Sequence, residues 1–182
     1  AGEVNFVKNF GWAPQRFNSR ARPLARECRR WNIIFESVAK EAVSTVRDRR
    51  MLAMHLLQGL GGEHSSRLVL GALLADLSAE HYTWVATGDQ GNPDTTTIMA
   101  RRDAFLARLH LLFDESMILT LPESFTGVTL AFLKETSYYQ VGPSVLTVGI
   151  GDWTTEESAK QILKKALGRV RVIVANIREY MK

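Results

Sequence analysis

The stretch PLARECRRWNIIFESVAKEAVSTV, residues 23–46, decides the fold class. Its apolar positions Leu24, Cys28, Trp31, Phe35, Val38, Ala42 and Val46 recur at spacings of 4, 3, 4, 3, 4 and 4. That alternation keeps one side of a helix apolar along its whole length. Pro23 suits the first turn, where its missing N–H would have had no intrahelical partner. The pattern runs on through Met51, Met54 and Leu57 to Gly59-Leu60-Gly61-Gly62, where a glycine can take the left-handed cap conformation. Residues 23–60 therefore read as a long basic amphipathic helix or a helix pair, with a bend near Arg47–Arg50 left open.

Working outward, Ser65 or Ser66 is placed to cap a helix whose run Leu68, Val69, Leu70, Ala72, Leu73, Leu74 and Leu77 is apolar on nearly every side. This should be the most buried element. The turn formers of Gly88-Asp89-Gln90-Gly91-Asn92-Pro93-Asp94 mark the main surface loop. A third helix is expected from about Thr96 to Met117, capped by Asp94 or a neighbouring threonine, with Ile98, Phe105, Leu109 and Leu112 buried. Together these are the central helices over 65–121. Val128–Leu133 and Val145–Ile150 are short and β-prone, and Gly142-Pro143 lies between them, so a β-hairpin is expected within 126–151. Thr154 followed by Glu157 has the spacing of a capping box. A basic helix over 155–181 should follow it, burying Ala159, Ile162, Leu163, Ala166, Val170, Ile173, Ile177 and Tyr180. Residues 1–21 remain as an N-terminal arm. The expectation is a mainly α single domain with two long amphipathic helices near the termini and one hairpin before the last helix.

Composition supports an ordinary globular chain. Of the 182 residues, 46% are hydrophobic and 23% charged, which argues against disorder or a low-complexity tail. The apolar runs are too short to span a bilayer, so no membrane partner is expected. One cysteine, Cys28, allows no intrachain disulfide and fits a reducing, cytoplasmic compartment. The first six residues have neither a basic region nor an apolar run, so no retained secretory signal is expected.

The net charge of +4 conceals a segregation. Residues 1–50 hold 11 basic and 5 acidic side chains, 51–157 hold 5 and 13, and 158–182 hold 7 and 1. On a helical projection Arg22, Arg26, Arg29, Lys40 and Arg47 fall within roughly 60° of one another, with Arg30 beside them. Lys160, Lys164, Arg171, Arg178 and Lys182 fall within about 40° in the last helix. Each strip is expected to lie away from its helix's apolar stripe. A strip of this kind is either a solvated face or a track for a phosphate backbone, whose oxygens arginine binds through a fork of donors. Basic ends around an acidic middle also allow subunits to dock on one another, and a homo-oligomer would align the strips.

Phe10, Trp12, Phe17 and Trp31 could stack on bases, although Trp31 falls in the core stripe. Nucleic acid, RNA ahead of DNA, is the expected partner. The alternative is an adaptor or chaperone-like protein whose basic faces bind an acidic protein. No motif of a known nucleic-acid-binding family is present.

Catalytic chemistry finds little support. His55, His64, His81 and His110 form no metal-like pair, and His110 reads as a hydrogen-bonded structural histidine. Gly59–Ser66 lacks the lysine of a phosphate loop and reads as a helix stop. Asp114-Glu115 and Glu156-Glu157 are sequence neighbours, expected to diverge rather than form a dyad. Cys28 belongs to the core stripe. Neither an enzyme nor a cofactor nor a metal is expected.

Overall fold

A computed structural model describes residues 24–88 and 94–181. The N-terminal arm with Phe10, Trp12 and Phe17, together with Arg22, the centre of the expected surface loop and Lys182, lies outside the described residues. The chain is mainly helical, with one two-stranded antiparallel hairpin before the last helix.

The segment that opened the sequence is broken twice. After a helical turn at 24–28 come α1, Trp31–Glu41, and α2, Arg47–Leu60. Arg30 leaves helical geometry at φ −138 before α1. Before α2 the Val46 N–H donates to Ser44 Oγ at 3.2 Å, and Arg50 donates to the Ser44 carbonyl at 3.1 Å. A serine that offers the backbone its own acceptor competes with the helical ladder. Cys28, Trp31, Phe35 and Ala42 are buried as the stripe foresees, whereas Val46 is exposed beyond the break. Met51 and Met54 are exposed too, because Ala53 and Leu57 form the buried edge of α2.

Helix α3, Ser66–Gly88, packs against α4 (Thr95–Leu109), α5 (Phe125–Leu133) and α6 (Glu157–Tyr180). Leu68, Val69, Ala72, Leu73 and Leu77 are buried along it, as expected of the central element. Neither serine caps it. The Ser65 hydroxyl donates to the Gly62 carbonyl at 2.9 Å and accepts from Gly149 N–H at 3.3 Å, tying the end of the hairpin to the α2–α3 connection. Asp94 does cap α4, accepting from Thr97 N–H at 2.7 Å. Phe105 and Leu109 are buried on α4, but Ile98 is half exposed. The helix stops short of Met117 by passing into a π-helical turn, His110–Asp114, closed by Glu115 N–H on the His110 carbonyl at 3.1 Å.

The largest correction concerns Val128–Leu133, which is helix α5 and not a strand. Its first amide groups are satisfied by side chains. Ser124 Oγ accepts from Gly127 N–H at 2.8 Å, and the buried carboxylate of Asp76 on α3 accepts from Phe125 N–H, Thr126 N–H and Thr126 Oγ–H at 3.0, 2.8 and 2.6 Å. A carboxylate at a helix N-terminus satisfies free donors and opposes the dipole, and this outweighs the β preference of the valine and threonines. A Cβ on Gly127 would lie 2.2 Å from the Leu121 carbonyl, so only glycine fits this turn. Threonines of α5 also bind inward, Thr129 Oγ1 accepting from Trp31 Nε1 at 3.0 Å.

The hairpin is therefore shorter, β1 Ser137–Val141 with β2 Ser144–Val148, in register from Ser137↔Val148 to Val141↔Ser144. Gly142 at φ +58 and Pro143 make the two-residue turn, the type II′ pattern with glycine first. Tyr139 anchors β1, stacked on Phe35 and donating to Asn32 Oδ1 at 2.8 Å.

Helix α6 starts without the capping box. Glu156 stands at its cap with no side-chain bond to the helix. Thr154 instead donates its N–H and hydroxyl to Asp152 Oδ1 at 2.9 and 2.6 Å, and Asp152 N–H donates to Glu156 Oε1 at 2.8 Å. Its buried residues are Ala159, Leu163, Ala166, Leu167, Val170 and Val174. Relative to the expected stripe the buried face is turned by about 45° at 100° per residue, leaving Tyr180 fully exposed and Ile173 at the surface.

Candidate nucleic-acid interface

Turning α6 in this way redistributes its cations. Lys160 and Lys164 stay exposed, but Arg171 and Arg178 come to flank the buried face and are bound by the protein itself. Arg171 donates to the carbonyls of Phe113 and Asp114 at 2.9 and 2.8 Å and to Ser116 Oγ at 2.9 Å. It thereby fastens the end of the π-turn, where Ser116 holds a left-handed φ of 61°. Arg178 pairs with Asp114. The strip drawn from the sequence is thus half structural.

Two residues outside that strip, Lys165 and Arg169, join Lys160 and Lys164 on the solvent side of α6. None of the four has an ion-pair partner among the described residues. No Asp or Glu occurs between Glu157 and Glu179, so beyond Glu157 in its first turn the outer face has no carboxylate until its last turn. Lys160–Lys164 and Lys165–Arg169 are like-charge i, i+4 pairs, each destabilising a helix by about 0.2–0.5 kcal/mol. Gly168 lies among them with open space around it, although an exposed helix interior favours alanine over glycine by about 1 kcal/mol. A cationic surface with one carboxylate, Glu157, at its N-terminal edge is the result. Its clue in the sequence is the acid-free run; placing the apolar stripe too far toward Ile162, Ile173 and Tyr180 obscured it.

The other basic set is divided by the two breaks and does not form a single straight strip. Arg26, Arg29 and Arg30 surround the turn before α1, Lys40 sits in its last turn, and Arg47 begins α2, all exposed. The Arg29 guanidinium lies 5.2 Å from the centroid of the Phe125 ring, within cation–π range. Arg49 and Arg50 add exposed charge on the first turn of α2. Helix α1 packs chiefly on α2, β1 and α5, whereas α6 packs on α3 and the π-turn, so the two basic sets occupy different elements and share no principal packing surface.

Burial pushes the Cys28 thiol up to about 12, the environment of an inert core cysteine. Asp114 and Glu115, expected to diverge, converge on the exposed ring of His110 because the π-turn adds a residue. His110 Nδ1 is 2.9 Å from Asp114 Oδ2 and Nε2 is 3.2 Å from Glu115 Oε1. Burial raises the Asp114 carboxyl, but bonds from His110 and Arg178 outweigh it and hold the group below the ordinary range. Burial lifts Asp76 above that range despite its three hydrogen bonds. No group of three or more His, Cys, Asp or Glu among the described residues could hold a metal, and no described helix is long and apolar enough to cross a membrane.

No family model matches the chain, and no curated protein or solved structure matches it.

Proposed function

We propose that the chain is a non-enzymatic, self-associating nucleic-acid-binding protein that grips the phosphate backbone, with RNA the first polymer to test. The observation that carries this is the solvent-exposed half of α6, which presents Lys160, Lys164, Lys165 and Arg169 with no carboxylate between them in sequence. Repulsion within that face costs stability in the isolated chain. A polyanion would remove the cost and release counterions as it binds. The open Gly168 would let a backbone approach the helix closely. Arg26, Arg29, Arg30, Lys40 and Arg47 would form a second contact, and a homo-oligomer would align copies of both so that weak contacts add. Arg171 and Arg178 are left out of the interface, since their guanidinium groups already serve the fold.

The test is the affinity for a 20-nucleotide single-stranded RNA, measured by fluorescence anisotropy at two salt concentrations. Binding that weakens as salt rises, and that is lost when Lys160, Lys164, Lys165 and Arg169 are all changed to Glu in a folded protein, is the expected result. Salt-insensitive binding, or full affinity in that variant, refutes the proposal. Sedimentation of the free protein tests self-association separately; a strict monomer removes that part alone.

A further inference from the structure

Helix α2 raises a different question, because beyond its charged first turn most of its exposed residues are apolar. Val43 and Val46 precede it and Met51 and Met54 lie along it, with exposures of 56, 50, 47 and 38%. Across from them the hairpin contributes Val141, Pro143 and Ser144. The buried Ala42 lies between, so that α2 and the hairpin turn wall a shallow groove of about 510 Å³. Scattered surface hydrophobics need no explanation, but a contiguous set in a groove marks an interaction site. Paired methionines suit such a surface because their unbranched, polarisable side chains adapt to a partner.

The charge of the groove narrows the partner. Its ionisable lining residues are Arg50 and His55, and no carboxylate lines it. Arg50 is pre-positioned by its bond to the Ser44 carbonyl. On the helical projection Arg47 lies about 40° from Met51 and about 20° from Met54, whereas Asp48 lies about 60° from Met51 and about 120° from Met54. The adjoining groove between α1 and β1 mixes Glu36 with Lys40, so the cationic bias belongs to the α2 end. An apolar floor edged by Arg47 and Arg50, with no carboxylate in its lining, complements a helix with apolar anchors at i, i+3, i+4 and i+7 and acidic flanks. A nucleic-acid strand would leave the methionine floor without a matching surface.

We propose that the groove between α2 and the hairpin turn docks an acidic amphipathic helix of a partner protein. The site is distinct from the α6 face and stands or falls without it.

The probe is a fluorescent 16-residue peptide with leucines at those anchor positions and glutamates elsewhere, titrated with the full chain. A version with lysine for glutamate serves as the control. Micromolar binding of the acidic peptide is expected, with at least tenfold discrimination against the lysine peptide. Met54→Asp should weaken it at least tenfold and Arg50→Glu several-fold. Both positions are exposed, and an unchanged melting temperature and circular dichroism spectrum must accompany each loss.

No binding, equal binding of the two peptides, or full affinity in folded Met54→Asp overturns the proposal. So does displacement of the peptide by single-stranded RNA that persists in the α6 charge-reversal variant, which would make the groove a nucleic-acid site. A wild-type dimer that Met54→Asp dissociates, with no peptide binding, also overturns it, since a second copy would then fill the groove.

Discussion

Helices α2 and α6 both carry exposed cations, arginines on α2 and lysines with Arg169 on α6, yet they present different chemistry. Helix α6 buries six apolar residues and turns an acid-free run of cations outward. Helix α2 buries only Ala53 and Leu57 and leaves Met51, Leu52, Met54 and Leu56 at the surface. Net positive charge alone therefore does not name a partner. What lies between the cations does. On α6 it is Gln161 and Gly168, polar or open, which suits a hydrated and salt-dependent contact. On α2 exposed methionine and leucine follow the cations, which suits burial against another apolar face.

The largest effects should separate the two faces completely. Reversing Lys160, Lys164, Lys165 and Arg169 to Glu should reduce affinity for single-stranded RNA more than 100-fold near 100 mM salt, leaving binding of the acidic peptide at the groove within twofold. Parallel anisotropy titrations would show this, and joint loss of both activities would end the distinction between the faces.

Next in size is Arg171→Ala, which removes charged hydrogen bonds to Phe113, Asp114 and Ser116 and should cost about 2 kcal/mol of stability. Urea unfolding measures that cost. RNA affinity should stay within twofold, whereas a loss as large as that of Lys164→Ala would return Arg171 to the interface.

A smaller change is expected of Gly168→Ala. It should stabilise the protein by about 0.5–1 kcal/mol and raise the melting temperature by roughly 1–4 °C. RNA binding should weaken a few-fold as the added methyl holds the backbone off. Greater stability with unaltered affinity would mean that nothing approaches the helix there.

The smallest effect concerns the entry to α6. The Thr154 hydroxyl and Lys134 hold the Asp152 carboxyl down at about 2. A depressed carboxyl contributes stability above its unfolded value, near 4, and that contribution is lost as pH falls toward about 2. In Thr154→Val, NMR titration should find the Asp152 carboxyl higher, and acidification from pH 4 to 2 should destabilise this variant less than the parent. An unmoved titration would remove Thr154 from the account.

How far these regions could be read in the sequence depended on how local their causes are. The stripe from Cys28 to Ala42, the Asp94 cap and the apolar character of α3 follow from periodicity and neighbouring side chains, and the structure bears them out. Helix α5 could not be read that way. The carboxylate that secures its first turn belongs to Asp76, 50 positions from Thr126, and the local signals are divided between the Ser124 cap and the β preference of Val128 and the threonines. The strip on α6 failed in another manner. A helix with Ile162, Ile173, Ile177 and Tyr180 beside Leu163, Leu167, Val170 and Val174 has more apolar surface than its neighbours can cover, so its rotation is chosen by packing against α3. That choice sends Arg171 to the π-turn and brings Lys165 and Arg169 outward. The break at Ser44 likewise depends on Arg50 reaching back to a carbonyl, and with it the alignment of Arg26, Arg29, Lys40 and Arg47 is lost.

The most direct test of the polyanion face is the salt dependence of RNA affinity in the wild type and in the double variant Lys164→Gln, Lys165→Gln. Each lost phosphate contact on a single strand should lower the slope of log affinity against log salt by about 0.7. The account predicts a slope shallower by about 1.4 in the double variant, with an unchanged melting temperature or a slightly higher one. An identical slope in the two proteins would contradict it.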